Sequence, residues 1–464
     1  MAFLERNANR GSISTGYDIS NSVKLEDTNT EYLQRPASGS DGSRTTMTLS
    51  MWIKRTAPGN DHIFYSQGSH VRFRWKSSDY FSLRLASGHE FEHQARVFRD
   101  PAAWYHLVVA IDTTQATASN RVKIYWNGEQ ETDLPDENSP PAQNEQLTLG
   151  QFSSVTTQLG WFVESGYGLD GYIAEVNYID GIQQAPTEFG EFDSDTGIWK
   201  PKEYTGSYGN EGFYLNFDDA SSMGADSSGN GNNFNLNNVS SADQATDTPT
   251  NNFCTLNPLV NFKYTTNAIT EGATVFGDNT GGGVGGAFGT MAVTAGKWYW
   301  EVKLNQQNDH YIGISAVDDG DNVYTSTDPQ DINSSAIFAI SAARYEYVNS
   351  DTKTYGSLDS FTDFHSAGDI IGIALNMDNN TISMYGNGTL QSGVANSSIY
   401  DAADKMVVPF HGTINDECQY NFGGYSAWTP SSAASDANGY GTFEYAPPSG
   451  YYALCTKNLA EFGG

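Results

Sequence analysis

The stretch GDIIGIALNMDNNTISMYGNG, residues 368–388, carries the strongest indication of the fold class. On both sides of Asp378-Asn379-Asn380, apolar side chains alternate with small or polar ones, and this period of two is typical of half-buried strands. Asp and Asn favour a tight turn between such strands. The stretch therefore predicts an antiparallel hairpin whose inward side chains are Ile371, Ile373, Leu375, Ile382 and Met384.

Short runs of the same kind recur along the whole chain. They are rich in β-branched and aromatic residues, and Gly, Pro, Asn or Asp bound them, as expected of strands and turns. They include MTLSMWIK (47–54), YFSLRL (80–85), WYHLVVAI (104–111), RVKIYW (121–126), YIAEVNYI (172–179), GKWYWEVKL (296–304) and YIGIS (311–315). Only residues 186–192 fit a short helix. The sequence therefore predicts an all-β protein.

Length and local composition predict two domains. A chain of 464 residues exceeds what one hydrophobic core usually supports. Residues 220–250 are rich in Asn, Ser, Asp and Gly, as in a long loop or linker. We expect an N-terminal arm at 1–20, a first β-sandwich at 21–220, a connecting segment at 221–260 and a second β-sandwich at 261–464. The connecting segment either adds an edge strand to the first sandwich or packs between the domains.

The charge balance excludes several partners. The chain carries 24 Lys and Arg against 55 Asp and Glu, a net charge of −31, which repels phosphate backbones and anionic membrane surfaces. We predict neither a nucleic-acid nor a membrane partner. The negative charge acts either as a solvation device or in binding cations.

Cysteines and hydropathy define the expected cellular setting. Three cysteines, Cys254, Cys418 and Cys455, show no spacing typical of a disulfide framework or a metal site, so we expect small core residues. No apolar signal core begins the chain, and no run of 18 apolar residues occurs. We expect synthesis in a cytoplasm, without conventional secretion.

The first half resembles the laminin-G-like, concanavalin-type jelly roll. The resemblance rests on NSVKLEDTNTEYLQRP (21–36), the strand runs of residues 47–54, 104–111 and 121–126, the turn Asn127-Gly128, and LDGYIAEVNYIDG (169–181). It covers roughly residues 20–220 and implies two packed antiparallel sheets. The loop DSSGNGN (226–232) is also similar to a loop of such modules, although it comes later in this chain than in the family.

The resemblance suggests ligand sites in the first half. Aromatic side chains stack on sugars, so Trp75, Tyr80, Trp161 and Tyr167 are candidate glycan-binding residues. Asp226 and Asn230 are candidate calcium ligands, because carboxylate and amide oxygens suit that cation. The alternative for these two residues is an Asx loop whose side chains cap their own backbone.

Because many proteins of this fold are glycosidases, the sequence must also be tested for a catalytic carboxylate pair. Such a pair lies on one face of a strand, two or four residues apart. Glu191 and Asp193 have that spacing in a turn-like segment, and Glu90 and Glu92 lie beside two histidines. An exposed edge strand explains the second pair more simply. We expect no enzyme, and a glycan hydrolase remains the weaker alternative.

The second half resembles a SPRY domain over about residues 260–464. Residues 296–304, 311–315 and 368–388 are followed in the family's order by MVVPFHG (406–412), CQYNFGG (418–424) and PPSGYYAL (447–454). The resemblance implies a non-catalytic module that binds a peptide or protein through loops at one end. We assign those loops to residues 308–310, 318–324, 345–347 and 410–415, with Asp309, Tyr345, Tyr347 and His411 as candidate contacts.

Three segments, MAFLERNANRGSISTGYDISNS (1–22), TTQAT (113–117) and DTPTNNFCTLNPL (247–259), look similar to virion proteins of marine tailed phages, and this resemblance covers residues 1 to about 260. This resemblance implies a tail fibre, appendage or capsid-attached protein on the virion surface, which contacts host glycan or protein and other virion proteins. Virion fibres are usually symmetric, so a homo-oligomer, plausibly a trimer, is expected. The alternative is a purely structural role, in which the two sandwiches join neighbouring subunits.

Overall fold

A computed structural model describes most of the chain. The described residues are 16–86, 88–132, 140–164, 166–260, 267–278, 285–306, 310–317, 335–339, 344–349, 352–357, 366–399, 402–403, 405–413 and 416–463. The chain divides into two compact units, one spanning Ser14–Thr250 and the other containing Asn251–Gly464. We call them the N-terminal unit and the C-terminal unit.

The N-terminal unit consists of short antiparallel strands. In chain order they are β1 (Ser22–Leu25), β2 (Tyr32–Arg35), β3 (Thr46–Arg55), β4 (His62–Gln67), β5 (Val71–Trp75), β6 (Phe81–Ala86), β7 (His89–His93), β8 (Trp104–Asp112), β9 (Val122–Trp126), β10 (Glu129–Gln130), β11 (Thr157–Leu159), β12 (Trp161–Phe162), β13 (Tyr167–Gly168), β14 (Gly171–Asp180), β15 (Gly190–Phe192), β16 (Trp199–Pro201), β17 (Phe213–Leu215), β18 (Asn235–Asn237) and β19 (Gln244–Ala245). Short 3-10 helices occur at Ala118–Asn120, Pro186–Glu188 and Ser241–Asp243. The helix predicted at 186–192 is therefore a single 3-10 turn followed by β15.

Two sheets enclose the core of this unit. The first sheet has the order β10-β9-β8-β3-β14-β1-β19, with β17 also paired to β14. The second has the order β18-β2-β11-β4-β5-β6-β7. Side chains of both sheets form one buried apolar cluster, including Leu49, Met51 and Leu107 of the first sheet and Phe73 and Leu83 of the second. The predicted sandwich is confirmed.

Local turn chemistry closes the β9–β10 hairpin as predicted. Trp126 pairs with Glu129, and the two residues between them, Asn127 and Gly128, have φ values of 50° and 81°. This left-handed pair is the turn that matches the twist of a two-residue hairpin, and Asn-Gly is the sequence that adopts it most readily.

The connecting segment contributes strands to the N-terminal unit. β18 pairs with β2, and β19 pairs with β1, so each sheet gains an edge strand from residues 221–250. The boundary between the two units lies before Asn252, because Asn252 N donates to Thr456 Oγ1 at 3.0 Å and Cys254 N donates to Leu454 O at 2.9 Å. These bonds tie the following residues to the C-terminal unit.

The C-terminal unit is also built of strands. They are β20 (Asn267–Thr270), β21 (Val275–Asp278), β22 (Gly285–Phe288), β23 (Lys297–Leu304), β24 (His310–Ala316), β25 (Ser335–Ala339), β26 (Arg344–Asn349), β27 (Thr352–Ser357), β28 (Ile370–Asn376), β29 (Thr381–Gly386), β30 (Thr389–Leu390), β31 (Ser397–Ser398), β32 (Val407–Thr413), β33 (Glu417–Asn421) and β34 (Tyr452–Ala453). A 3-10 helix lies at Ser392–Val394, and the helix α1 spans Thr456–Phe462.

These strands form a second sandwich. One sheet has the order β20-β21-β33-β23-β28-β29-β30, with β31 and β34 paired to β29 and β23, and the other has the order β22-β32-β24-β25-β26-β27. The predicted hairpin of residues 368–388 is confirmed as β28 and β29, with Asn376 opposite Thr381. Its five inward side chains are buried, as are Trp298, Trp300 and all three cysteines, which are free thiols.

A buried carboxylate marks an irregular point in β14. The register of β14 against β3 shifts between Ala174 and Asn177, and Glu175 within this bulge has φ 52°. Glu175 is buried and accepts a hydrogen bond from Tyr214 Oη at 2.8 Å. Removal from water penalises the ionised form, so burial raises the pKa of Glu175 to about 7.

The substitution Glu175→Gln tests this effect, since it keeps the hydrogen-bond acceptor but removes the titration. The folded pKa is raised above the unfolded value, so the contribution of Glu175 is most favourable below about pH 4.5 and is lost as the pH rises through about 7. Across that range we expect the wild type to lose about 3 kcal/mol of unfolding free energy relative to the variant, measured by urea titration. The exposed Glu188→Gln is the control, and a pH-independent difference for Glu175→Gln would contradict the assignment.

Candidate ligand-binding face of the N-terminal unit

Seven outward side chains form a continuous polar row across the second sheet. The register places one from each strand side by side, because side chains at every second position share a face. In the order β18, β2, β11, β4, β5, β6 and β7, the polar row consists of Asn235, Gln34, Gln158, Ser66, Arg72, Arg84 and Glu90. Gln158 Nε2 donates to Gln34 Oε1 at 3.1 Å, so neighbours within the row are also bonded.

A short hairpin made of β12 and β13, residues 161–168, lies against β4 on this face. Ser66 Oγ of the polar row donates to Trp161 O at 2.7 Å, and the Trp161 ring stacks on Tyr32 with centroids 5.8 Å apart. Phe162 is buried, and the Arg72 guanidinium carbon lies 5.2 Å from its ring centroid. We call this element the aromatic hairpin. A hydrogen bond, an aromatic stack and a cation–π contact hold it on the sheet.

The aromatic hairpin also presents apolar surface to solvent. Val163 is 65% exposed, more than any other large apolar side chain of the described residues, and Tyr167 is 47% exposed. Trp161 is half-buried. Amides, hydroxyls and guanidinium groups next to accessible aromatic rings are the combination that sugar-binding surfaces use.

Three of the four predicted glycan-binding residues lie at the surface of this unit, and one prediction was wrong. Trp161 and Tyr167 lie together on the aromatic hairpin, whereas Tyr80 lies just before β6 and donates to Glu92 Oε2 at 3.2 Å. Trp75 is completely buried and packs between Phe64 and Trp126 in the core, so its ring is not available to a sugar.

The carboxylates of the edge strand β7 take part in cross-strand ion pairs. Glu90 pairs with Arg74 at 3.3 Å, and Glu92 pairs with Lys76 at 3.1 Å while also accepting from Tyr80. These contacts fit the edge-strand interpretation of the pair. At the centre of the polar row the side chains are amides, a hydroxyl and guanidinium groups. Gln158 and Ser66 are buried there, whereas Arg72 and Arg84 are partly exposed.

The other carboxylate pair lies elsewhere. Glu191 and Asp193 both contact Lys200 Nζ at 3.3 Å, on the small β15–β16 hairpin. Asp193 Oδ1 also accepts from the Thr196 backbone at 3.0 Å, so this carboxylate organises its own turn.

The predicted calcium ligands make hydrogen bonds to backbone groups in their loop and in the neighbouring residues 209–214. Asp226 accepts hydrogen bonds from the amides of Tyr214, Ser228 and Asn232 at 2.8–2.9 Å. Asn230 Nδ2 donates to the carbonyl of Gly212 at 3.0 Å. For Asp226 these bonds favour the Asx-loop alternative. In the part of the chain that the structure describes, no group of three or more His, Cys, Asp or Glu residues has metal-binding geometry.

Two predictions about the binding loops of the C-terminal unit were wrong. His411 has no exposed surface, so the prediction that it contacts a ligand from a loop was wrong. Residues 345–347 form part of β26, which pairs with β25 and β27, and are not a loop. The side chains of Tyr345 and Tyr347 lie outside the described residues, as does Asp309.

His411 instead belongs to a buried polar chain that the sequence did not reveal. Asp416 Oδ2 lies 2.8 Å from His310 Nε2, His310 Nδ1 lies 3.4 Å from His411 Nε2, and His411 Nδ1 lies 3.0 Å from Tyr420 Oη. Burial and the neighbouring His310 lower the pKa of His411 well below its usual range. Cys418 completes the cluster, 3.4 Å from His411 Nε2. Full burial indicates that this chain organises the sandwich interior.

The polar row was also missed at the level of sequence. VRFRW (71–75) and SLRL (82–85) show arginine alternating with apolar residues, which signals outward Arg72, Arg74 and Arg84. Their alignment with Gln34, Gln158 and Asn235 depends on pairing between strands far apart in the sequence, which alternation alone does not specify.

Comparison with known families identifies both sandwiches. Residues 27–182 match the concanavalin A-like lectin/glucanases superfamily, in its laminin G type, and residues 297–425 match the SPRY domain. The chain therefore carries a concanavalin A-like domain followed by a SPRY domain. Domains of these two families are typically binding modules without catalysis. The comparison with curated proteins gave no match.

Two solved structures are similar to part of this chain. The SPRY domain of human HERC1 shares 18% sequence identity, with 36% of this chain and 96% of that chain covered and a TM-score of 0.27. The TRIM65 PSpry domain shares 10% identity, with 36% of this chain and 87% of that chain covered and a TM-score of 0.26. Among the described residues, no helix combines the length and the apolar character needed to span a membrane.

The loop around Asp226 yields a stability prediction. We expect Asp226→Ala to lower the free energy of unfolding by roughly 2–3 kcal/mol, because three backbone amides lose their acceptor. Calcium or chelator should leave the melting temperature of the wild type unchanged, since the carboxylate is already saturated by amides. Asp219→Ala, on an exposed carboxylate of the preceding turn, is the control. A rise in melting temperature with calcium that Asp226→Ala abolishes would restore the calcium prediction.

Proposed function

We propose that this protein is a non-catalytic recognition protein that binds glycan on the outer face of the second sheet in its N-terminal unit. The observation that carries the proposal is the polar row beside the aromatic hairpin. A sugar ring presents hydroxyls at its edge and apolar C–H groups on its faces. The exposed and partly exposed members of the polar row supply hydrogen-bond partners for the hydroxyls, and Trp161 and Tyr167 supply flat rings for the faces.

Two features support binding without hydrolysis. Glycosidic cleavage requires two carboxyl groups placed on either side of one bond. In the polar row the single carboxylate, Glu90, lies at the sheet edge and is paired with Arg74. A ligand centred on Arg72 and Gln34, which are partly exposed, would meet no carboxylate pair. The domain families support the same conclusion, since members of both are typically binding modules.

A glycan array with the purified full-length protein tests the binding proposal. We expect saturable binding that Trp161→Ala and Tyr167→Ala each weaken roughly tenfold, because each removes an accessible aromatic surface. Phe192→Ala is the matched control, since Phe192 is 52% exposed on the separate β15–β16 hairpin. Circular dichroism verifies that each variant is folded.

The outcomes separate the proposal from its alternatives. Equal loss in all three variants, or no binding by folded protein, would refute glycan recognition by this face and favour the structural role. Release of shorter saccharides from a bound glycan would show hydrolysis, and Glu90→Gln and Glu92→Gln would then be the next variants to test.

We also propose that the protein is displayed on the surface of a phage particle, where glycan recognition would serve attachment to a host. The resemblance of residues 1 to about 260 to virion proteins supports this location. We expect the chain to be found by mass spectrometry in density-purified particles and to be removed from intact particles by external protease. Its absence from purified particles would contradict the location without bearing on glycan binding.

A further inference from the structure

Several cations of the N-terminal unit are held in ion pairs with carboxylates. Lys54 is fully buried and lies 2.7 Å from Asp247, and Arg55 is fully buried and lies 2.8 Å from Asp79. Even partly exposed cations such as Arg74 and Lys76 are paired with carboxylates. The chain has 55 acidic residues against 24 basic ones, so carboxylates are numerous enough to pair with its cations.

Arg72 and Arg84 form no such pair, a feature that they share with Arg121, Lys123 and Lys202 among the described residues, but these two arginines also face each other. The register places them directly opposite each other on β5 and β6, where like charges are destabilising. No carboxylate of the described residues forms an ion pair with either. Arg84 Nε donates only to Ala86 O, at 3.4 Å, and Arg72 Nε is buried without a hydrogen-bond partner.

The surroundings of the two arginines add further positive charge. Arg74 lies two residues from Arg72 on the same face, and both Arg74 and Arg84 oppose the charge on Arg72. The nearby carboxylates are Glu90, which is held by Arg74, and Glu164 on the aromatic hairpin, which makes no ion pair with Arg72. A net positive patch therefore lies at the centre of an otherwise polar binding face.

We propose that Arg72 and Arg84 bind the anionic group of an acidic saccharide, either a uronic carboxylate or a sulfate ester. This inference rests on the proposed glycan-binding function and specifies its ligand class. The guanidinium fork binds carboxylate and sulfate oxygens in a bidentate manner, and an anion between the two arginines relieves their repulsion. The aromatic hairpin lies against Arg72 through Phe162, whose cross-strand neighbour is Tyr167, so the sugar ring that bears the anion would meet Tyr167.

An acidic saccharide fits the site better than an acidic peptide. A peptide that binds by adding a strand to a sheet would pair with exposed backbone at an edge strand. Arg72 and Arg84 lie instead on interior strands of the second sheet, whose backbone is already paired on both sides. Only side chains are available there, and side chains are the groups that would contact the substituents of a sugar ring.

The experiment measures binding of the full-length protein to three immobilised polymers by biolayer interferometry. Polygalacturonate supplies carboxylates, dextran sulfate supplies sulfate esters, and dextran is the neutral probe. We expect binding to one or both acidic polymers that falls as NaCl is raised, because salt screens the attraction. Arg84→Gln should weaken binding roughly tenfold or more, and Arg72→Lys, which keeps the charge but loses the fork, should also weaken it.

Lys123→Gln controls for the loss of a positive charge, since Lys123 lies on β9 in the first sheet. It should leave binding unchanged. Arg84→Gln should not lower the melting temperature of the free protein, because it removes a like-charge contact. Preference between the two acidic polymers identifies the anionic group.

The remaining outcomes overturn the inference in distinguishable ways. Binding to dextran or to neutral glycans only, unaffected by Arg84→Gln, would refute the anionic ligand and leave the proposed glycan binding intact. Equal loss of acidic binding in Arg84→Gln and Lys123→Gln would show nonspecific charge attraction and refute the site. Binding to no saccharide at all would refute the inference together with the proposed function.

Discussion

The second sheet of the N-terminal unit depends on a single constraint, the alternation of side chains across seven strands held in one register. Its apolar row, Leu236, Leu33, Leu159, Tyr65, Phe73, Leu83 and Phe91, crosses the sheet strand by strand and packs against the core. The adjacent position on every strand must point outward, and those positions form the polar row. A shift of one residue in any strand would bury polar side chains and break both rows, so the packing of the core fixes the geometry of the binding face.

Charge is distributed in this unit according to burial. Lys24, Lys54 and Arg55 are almost fully buried, and each has a carboxylate partner at 2.7–2.8 Å, because an unpaired buried charge would cost several kcal/mol. Because acidic residues outnumber basic ones in the sequence, carboxylate partners for buried cations are readily available. On the outer face, where water stabilises charge, the same excess would be expected to neutralise any arginine pair. Arg72 and Arg84 face each other without an ion pair to either, although Glu90 and Glu164 lie nearby and Arg72 also contacts the Phe162 ring.

The sequence predicted local features well and long-range ones poorly. The hairpin of residues 368–388 and the turn at Asn127-Gly128 were predicted correctly because alternation and turn chemistry lie within a few residues. Trp75 was assigned to the surface although outward Arg72 and Arg74 imply that it points inward. His411 was misassigned because MVVPFHG is nearly apolar throughout, as in a strand buried on both faces, and its partner His310 lies far away in the sequence. The polar row required the pairing of β18 with β2, which no local pattern encodes.

A binding surface built on strands differs from the loops where recognition is commonly expected. The hydrogen-bonded backbone of a fully paired sheet holds its side chains in place before a ligand arrives. Binding therefore costs little conformational entropy. The aromatic hairpin adds a wall that Ser66, Tyr32 and Arg72 fix in place. The inner row is constrained by packing in the core, and in the outer row Ser66 and Arg72 are constrained by the aromatic hairpin. Asn235 and Arg84 lie outside both constraints, so substitutions there can change the ligand while the fold is kept.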